Sequence, residues 1–378
     1  IIGANSFTYS EIKNIVISNE NKNFKYIDNK LLIDVINSTI IFARNDIEDI
    51  IIPSYIKKID DFAFCNCHNL KKVTFPENTQ IFTIGKASFA MCTTLENIAI
   101  PSTLASIGEY CFLSCSNLET INFESNSQLL IIDNNAFEGC CSIEKVAIPD
   151  SVQCIEYSAF KNCNNLKNIE FSNQSKLLEF GHSMFDSNQI EQFTIPPNMH
   201  HNGWCFLNNC FNLKKLLVSP NNMNFSCINN NLIVKKSLFE EEIKTIIFAN
   251  RDVEEVTIPS DIEEIESYSF DHCEKLKKVI FLEDSKIKRI ESNAFSYCTS
   301  LEQIEIPSNI EYIGEKAFYN CTSLKSITFS IDSKLDTLKK ETFYMCESLE
   351  QIEIPSSVKL IEEKAFYNGT SLKSITFS

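Results

Sequence analysis

Apolar residues recur along the chain in one short unit, (Ala/Ser)-Phe-x-x-Cys-x-x-Leu-x-x-Ile-x-(Ile/Phe), seen in full from Ala63 to Phe75. Its aromatic position returns at Phe64, Phe89, Phe112, Phe137, Phe160 and Phe185, and again at Phe270, Phe295, Phe318, Phe343 and Phe366, in steps that alternate between 25 and 23 residues. Shorter coils continue as Ile-Pro-Ser-x-(Ile/Val/Leu)-x-x-Ile, as around Pro307 to Ile313, and longer ones as Phe-x-x-x-Ser-x-Leu, as at Phe329 to Leu335. The proline therefore recurs at Pro53, Pro101 and Pro149, then at Pro259, Pro307 and Pro355, so two coils form one 48-residue unit. A unit this small cannot enclose a core; it must bury its apolar face on the copies above and below, which is the logic of a solenoid.

Within each coil, Leu-x-x-Ile-x-(Ile/Phe) alternates apolar and polar residues with period 2 and favours β-branched types, which predicts a short strand with one buried face. Stacked strands of this kind make a parallel sheet. The return segment, such as Ile310 to Phe318, spaces its apolar residues by three or four, which fits a 3₁₀ turn, a helix or a second strand. The period breaks twice. Asn23 to Asp28 parallels Asn224 to Asn229, and both segments run on to Ile40–Asn45 and Ile246–Arg251, which reads as an enlarged coil carrying a β-hairpin. A single array, 1–378, thus divides into an N-terminal coil with hairpin (1–52), a first repeat block (53–218), a central hairpin (219–258) and a second block (259–378). The second block stops in mid-coil at Ser378 without the polar cap that solenoids use, which predicts self-association through uncapped ends.

Cysteine obeys the same period. Ten of the sixteen cysteines occupy the repeat's Cys position, three residues before its Leu or Ile: Cys67, Cys92, Cys115, Cys140, Cys163, Cys210, Cys273, Cys298, Cys321 and Cys346. One Cys per coil, in register with the apolar pattern, predicts a column of buried thiols packing as small hydrophobes, not a disulfide framework or a thiolate metal site. The five histidines have no metal-ligand spacing, and the chain has no phosphate-binding glycine loop or nucleophile-elbow motif, so no catalytic, cofactor or metal residue is expected. A net charge of −16 opposes binding to nucleic acid or anionic membrane. No apolar run approaches the roughly 20 residues that span a bilayer.

The combined motif Ile-Pro-Ser-x-(Ile/Val)-x-x-Ile-Gly-x-x-Ala-Phe-x-x-Cys-x-x-Leu-x-x-Ile, matched at Ile100–Ile121, Ile306–Ile327 and Ile354–Ile375, resembles the BspA-type leucine-rich repeat. The paired 48-residue unit and the Asn and Lys bias are similar to the expanded BspA-like families of trichomonads and entamoebae. The resemblance implies a leucine-rich-repeat solenoid, β-rich or α/β, wound as a right-handed superhelix with one parallel strand per 23- or 25-residue coil and two hairpin insertions. It implies a non-enzymatic protein at the cell surface or secreted, attaching to host, matrix or other protein or glycan ligands. The alternative is a cytoplasmic scaffold, which the unpaired thiols favour. The chain departs from the pattern at Asn188 and Gly369, where Cys is missing, and around Pro196 to Trp204.

If the strand centres on the middle Ile, its two flanking residues face outward. Read along the array, these positions are polar and small-chained, which points to weak contacts summed over coils. The candidate ligand contacts are Lys72, Lys145, Lys215, Leu217, Lys278 and Ile280, together with Trp204, the only Trp, beside His200 and His201. Asn-x-(Ser/Thr) sequons occur at Asn37, Asn173, Asn224, Asn320 and Asn368.

Overall fold

A computed structural model describes residues 2–3, 5–8, 10, 12–200, 212–236 and 244–378. Trp204, His201 and Cys210 lie outside the described residues. The chain forms two compact units, Ile1–Asn212 and Leu213–Ser378. Each is a parallel β-solenoid, and no described residue is helical.

Each regular coil contributes two strands. The major strand is the predicted one: Lys72–Thr74, Asn97–Ile100 and Thr120–Phe123 pair in parallel in the first unit, as do Glu255–Ile258, Lys278–Phe281, Gln303–Ile306 and Ser326–Phe329 in the second. Asn97–Ile100 shows the alternation, with Ile98 and Ile100 buried and Asn97 and Ala99 exposed. Strands such as Asn97–Ile100 and Gln303–Ile306 end on the residue before Pro101 and Pro307, because proline has no N–H for the ladder.

Of the three forms open to the return segment, the structure has the last, a second, two-residue strand beside the one major strand of each coil. Lys58–Ile59, Thr83–Ile84, Ser106–Ile107, Ile131–Ile132, Cys154–Ile155 and Glu179–Phe180 stack in parallel, and Glu264–Ile265, Arg289–Ile290 and Tyr312–Ile313 do the same in the second unit. In each of these pairs the second residue is buried. At both breaks of the period the chain runs antiparallel. Phe24–Ile27 pairs with Leu31–Asp34 and that with Thr39–Ala43, whose Ile40 then lies parallel beside Ile59. Phe225–Ile228, Leu232–Lys235 and Thr245–Ala249 repeat the arrangement, with Ile246 beside Ile265.

The turn that carries the repeat Phe is neither helix nor strand. In each regular coil the residues two before and two after Phe have positive φ, as at Tyr110 (57°) and Ser114 (57°) or Lys316 (56°) and Asn320 (58°). Left-handed residues on both sides of the Phe stop a helical turn from propagating. Alternate amides then point along the array: Phe112 N–H donates to Ala136 O (2.7 Å) and Phe295 N–H to Ala317 O (2.8 Å). The amides between them close the turn on itself, as Cys115 N–H does on Phe112 O (3.1 Å).

This third ladder stacks the phenyl rings. Phe89, Phe112, Phe137 and Phe160 lie 5.2–5.4 Å apart with planes 3–6° from parallel, and Phe295, Phe318 and Phe343 repeat the column at 5.4 and 5.5 Å. These rings are fully buried. Beside them run the thiols, which do more than fill space. The S–H of Cys115 donates to Phe89 O (3.1 Å), Cys140 to Phe112 O (3.1 Å), Cys298 to Phe270 O (3.2 Å) and Cys321 to Phe295 O (3.2 Å). A small apolar side chain with a weak donor suits a site where the Phe carbonyl of the previous coil has a lone pair to fill.

The residue after the repeat Leu builds a charge ladder on the surface. Lys277 meets Glu254 (2.8 Å), Lys325 meets Glu302 (2.8 Å) and Lys373 meets Glu350 (3.0 Å), while Lys71–Glu48 (3.0 Å) and Lys167–Glu144 (3.5 Å) do so in the first unit. Lys therefore alternates with Glu in the 48-residue period. Glu119 breaks the alternation, following Glu96 and preceding Glu144 at the same repeat position. Glu119→Lys is expected to raise the melting temperature slightly at low ionic strength and to lose that gain in 1 M salt, because exposed pairs are screened. A thermal melt that leaves the variant at or below wild type in low salt would show that the like charges there cost nothing.

Candidate functional site

The outward face of the major strands forms a candidate surface for a ligand. In the second unit Lys278 pairs in register with Gln303, and Gln303 with Ser326, giving one polar row across the sheet. Two residues on, Glu305 pairs with Thr328. The buried positions between these rows, Val279, Ile304 and Ile327, hold the sheet on its core. Above them lies a cleft of about 260 Å³ lined by Lys278, Ile280, Phe281, Gln303, Glu305 and Thr328, among others. It offers one cation, one carboxylate, an amide, hydroxyls and the half-buried Ile280. Such a surface can hydrogen-bond an extended chain and cover one apolar side chain.

The candidates do not all converge there. Lys278 and Ile280 line the cleft. Lys215 and Leu217 belong to Lys215–Val218, outside the four-stranded sheet that forms it, with Lys215 close enough to Cys227 to oppose the rise that burial gives that thiol's pKa. Lys72 and Lys145 project from the first unit on two separate ladders, Lys72 between Asp49 and Asn97, Lys145 beside Asn168. All four lysines are exposed. Trp204 is outside the described residues. The Arg289 guanidinium stacks on Tyr312 (4.2 Å to the ring centroid) and pairs with Glu291 (2.7 Å) beside Glu264, a cluster on the minor-strand face that the outward-residue reading missed. Burial and the carboxylates of Glu266 and Glu291 hold the Glu264 carboxyl above its ordinary pKa, and Arg289 opposes that rise.

Among the described residues, no three His, Cys, Asp or Glu side chains gather as metal ligands. Every described cysteine is free, and desolvation pushes buried thiols such as Cys298 and Cys321 above their ordinary pKa, to about 12 for Cys111 and Cys346. A thiol held in its protonated form is a poor nucleophile, as expected for a donor in a core.

The repeat geometry has a counterpart in sequence. Matches to the BspA type leucine rich repeat region, in six copies, cover residues 35–140, 130–246 and 241–373. The chain belongs to the BspA-type leucine-rich-repeat family. No curated protein matches its sequence. Among solved structures, a BspA-type chain of this length resembles a leucine-rich cell-surface protein of Faecalibacterium prausnitzii, with 23% identity and a TM-score of 0.64 over 97% of this chain and 96% of that one. A leucine-rich-repeat protein of Eubacterium ventriosum gives 19% identity and a TM-score of 0.55, covering 94% and 83%. One of Bacteroides ovatus gives 22% and 0.54, covering 94% and 90%. These likenesses establish the solenoid fold, and BspA-type arrays are in general scaffolds that present a repetitive surface to protein partners.

Proposed function

We propose that the protein is a non-enzymatic interaction module, displayed at a cell surface, that attaches to a protein or glycan of a host cell or extracellular matrix through the outward face of its major strands. The observation that carries this is the cleft over Lys278–Phe281, Gln303–Ile306 and Ser326–Phe329, which Lys278 and Ile280 line and where Lys278 stands in register with Gln303 and Gln303 with Ser326. The description of the F. prausnitzii relative as a cell-surface protein supports the location. Small polar side chains on a rigid sheet favour many weak contacts over one anchor, and their sum rises with the number of coils engaged.

Immobilised fibronectin, laminin and collagen, and intact epithelial cells, are the probes. Binding to at least one is expected, and Lys278→Glu combined with Ile280→Ser should weaken it about tenfold, both side chains lying outside the core. No binding to any of the four, or binding unaffected by the double variant, overturns the reading. A second reading is favoured by the free thiols, since unpaired cysteines in this number fit a reducing compartment. Antibody labelling of intact, unpermeabilised cells separates the two: surface signal supports the adhesin, and signal only after permeabilisation supports an intracellular scaffold.

A further inference from the structure

The second unit carries an aromatic ladder that the proposed function does not use. His272, Tyr297, Tyr319, Tyr344 and Tyr367 stand one or two residues after the repeat Phe, on the turn edge of the solenoid. Their rings follow one another at 4.4, 5.6, 4.9 and 5.0 Å, and the last two steps are within 9° and 17° of parallel. The rings are partly or fully exposed along this line, with Tyr297 at 36% and Tyr367 at 54%. The platform beneath is rigid: Tyr297 N–H donates to Tyr319 O, Asn320 N–H to Tyr344 O and Met345 N–H to Tyr367 O, all at 2.8–2.9 Å. Burying the phenylalanines of the same turns fixes these backbones, so a ligand meets a row already in place.

The chemistry of the row selects its partner. Tyr319, Tyr344 and Tyr367 stack face to face and Tyr297 tilts against Tyr319 by 53°, so the row presents one hydroxylated ring for each of the last four coils. Thr299, Thr322 and Thr370 add hydroxyls from the same turns. The nearby cations already have carboxylate partners, Lys316 pairing with Glu341 (3.4 Å) while Lys340 and Lys364 share Glu363 (3.4 and 3.5 Å). An anionic polymer would have to approach a chain of net charge −16 along a row whose lysines are already engaged by carboxylates. A polyproline helix docks its rings into slots between aromatic side chains, and rings stacked at about 5 Å leave no slot. A linear chain of neutral hydroxyl-bearing rings, one ring per coil, matches the direction, the spacing and the donors and acceptors.

We propose that the tyrosine ladder Tyr297–Tyr319–Tyr344–Tyr367 is a binding surface for a neutral linear polysaccharide lying along the solenoid axis. It is separate from the cleft over Lys278, so the two surfaces are tested independently. Cellohexaose, maltohexaose and chitohexaose are titrated against the full chain by calorimetry and tyrosine fluorescence. At least one is expected to bind. Tyr319→Ser with Tyr344→Ser should weaken it about tenfold, and Tyr319→Phe with Tyr344→Phe, which keeps the stack and removes two hydroxyls, should weaken it about threefold or more. The Lys278→Glu/Ile280→Ser variant should bind the hexasaccharide as wild type does, and a urea midpoint within error of wild type for the Phe pair confirms that the fold is unchanged. The proposal is overturned if none of the three sugars binds, if both tyrosine pairs bind as wild type, if the cleft variant abolishes sugar binding, or if a proline decapeptide or heparin displaces the sugar.

Discussion

Phe295→Ala is expected to cost about 3–5 kcal/mol of folding stability in urea titration, the largest effect of any single substitution in the second unit. The ring is fully buried and is stacked on both sides, 4.7 Å from Phe270 and 5.4 Å from Phe318. Truncation removes the transfer energy of the ring and also opens a cavity that the backbone cannot close, because its amide is bonded to Ala317 O and its carbonyl receives the Cys321 thiol. Phe295→Leu keeps most of the volume and loses the ring–ring contacts, so its cost should be about 1–2 kcal/mol. In an array where each coil touches only its neighbours, the loss weakens two interfaces at once. An alanine variant that loses under about 1 kcal/mol, or a leucine variant as damaged as the alanine one, would show that the column is not what joins the coils.

The regular architecture was legible in the sequence because the solenoid writes one residue type at each structural position. The Phe column, the Cys column, the strand-ending Pro and the alternation of Asn97–Ile100 all follow from spacing and burial. The Ser of the longer coil was visible too, and its role is clear in the structure: Ser333 Oγ accepts the Leu335 amide (3.3 Å), and Ser175 does the same for Leu177 (3.3 Å). Those longer coils place their two extra residues between major and minor strand, where the loop is solvated.

The return segment was not legible, for two reasons. Apolar spacings of three and four look the same for a helical turn as for a two-residue strand followed by a tight bend. The left-handed positions that decide between them are filled by Tyr110, Ser114, Lys316 and Asn320, with Gly only at Gly139, so the usual glycine signal is missing. The aromatic ladder escaped notice because its members sit in two different repeat positions, Tyr297 two after Phe and Tyr319, Tyr344 and Tyr367 one after. Only the stacked coordinates bring them into one row. The cleft was half legible: Lys278 and Ile280 were read from the strand pattern, but Lys215 and Leu217 looked equivalent until pairing placed them outside that sheet.

Alkaline pH should unfold the protein steeply, and the thiol column is the reason. Cys92, Cys111, Cys115, Cys140, Cys163, Cys273, Cys298, Cys321 and Cys346 are all buried, and desolvation raises each above the ordinary thiol value of 9.0. Above pH 9 an unfolded chain releases these protons while the folded one keeps them, so the folded state binds more protons and stability falls as pH rises. Below pH 9 both states are protonated and the contribution is fully present. The loss continues until the folded thiols themselves titrate, near 12 for Cys111 and Cys346. Each thiol contributes about 1.4 kcal/mol per pH unit while it is protonated in the folded state and ionised in the unfolded one, so the four in the second unit give a slope of at most roughly 5 kcal/mol per unit. Against a typical domain stability of about 5–15 kcal/mol, unfolding is expected within about one to three units above pH 9. Exposed lysines with raised pKa, such as Lys277 and Lys288, act in the same direction, so the thiol share is isolated by substitution. Cys298→Ala with Cys321→Ala should be less stable than wild type at pH 7, through lost packing and two lost S–H donors, yet its stability should decline more gently above pH 9, by about 2–3 kcal/mol per unit. Urea titrations at pH 7, 8, 9, 10 and 10.5 under reducing conditions read both quantities. Equal slopes for the two proteins would mean that the column titrates in the folded state as freely as in the unfolded one, and that its thiols are not sealed donors.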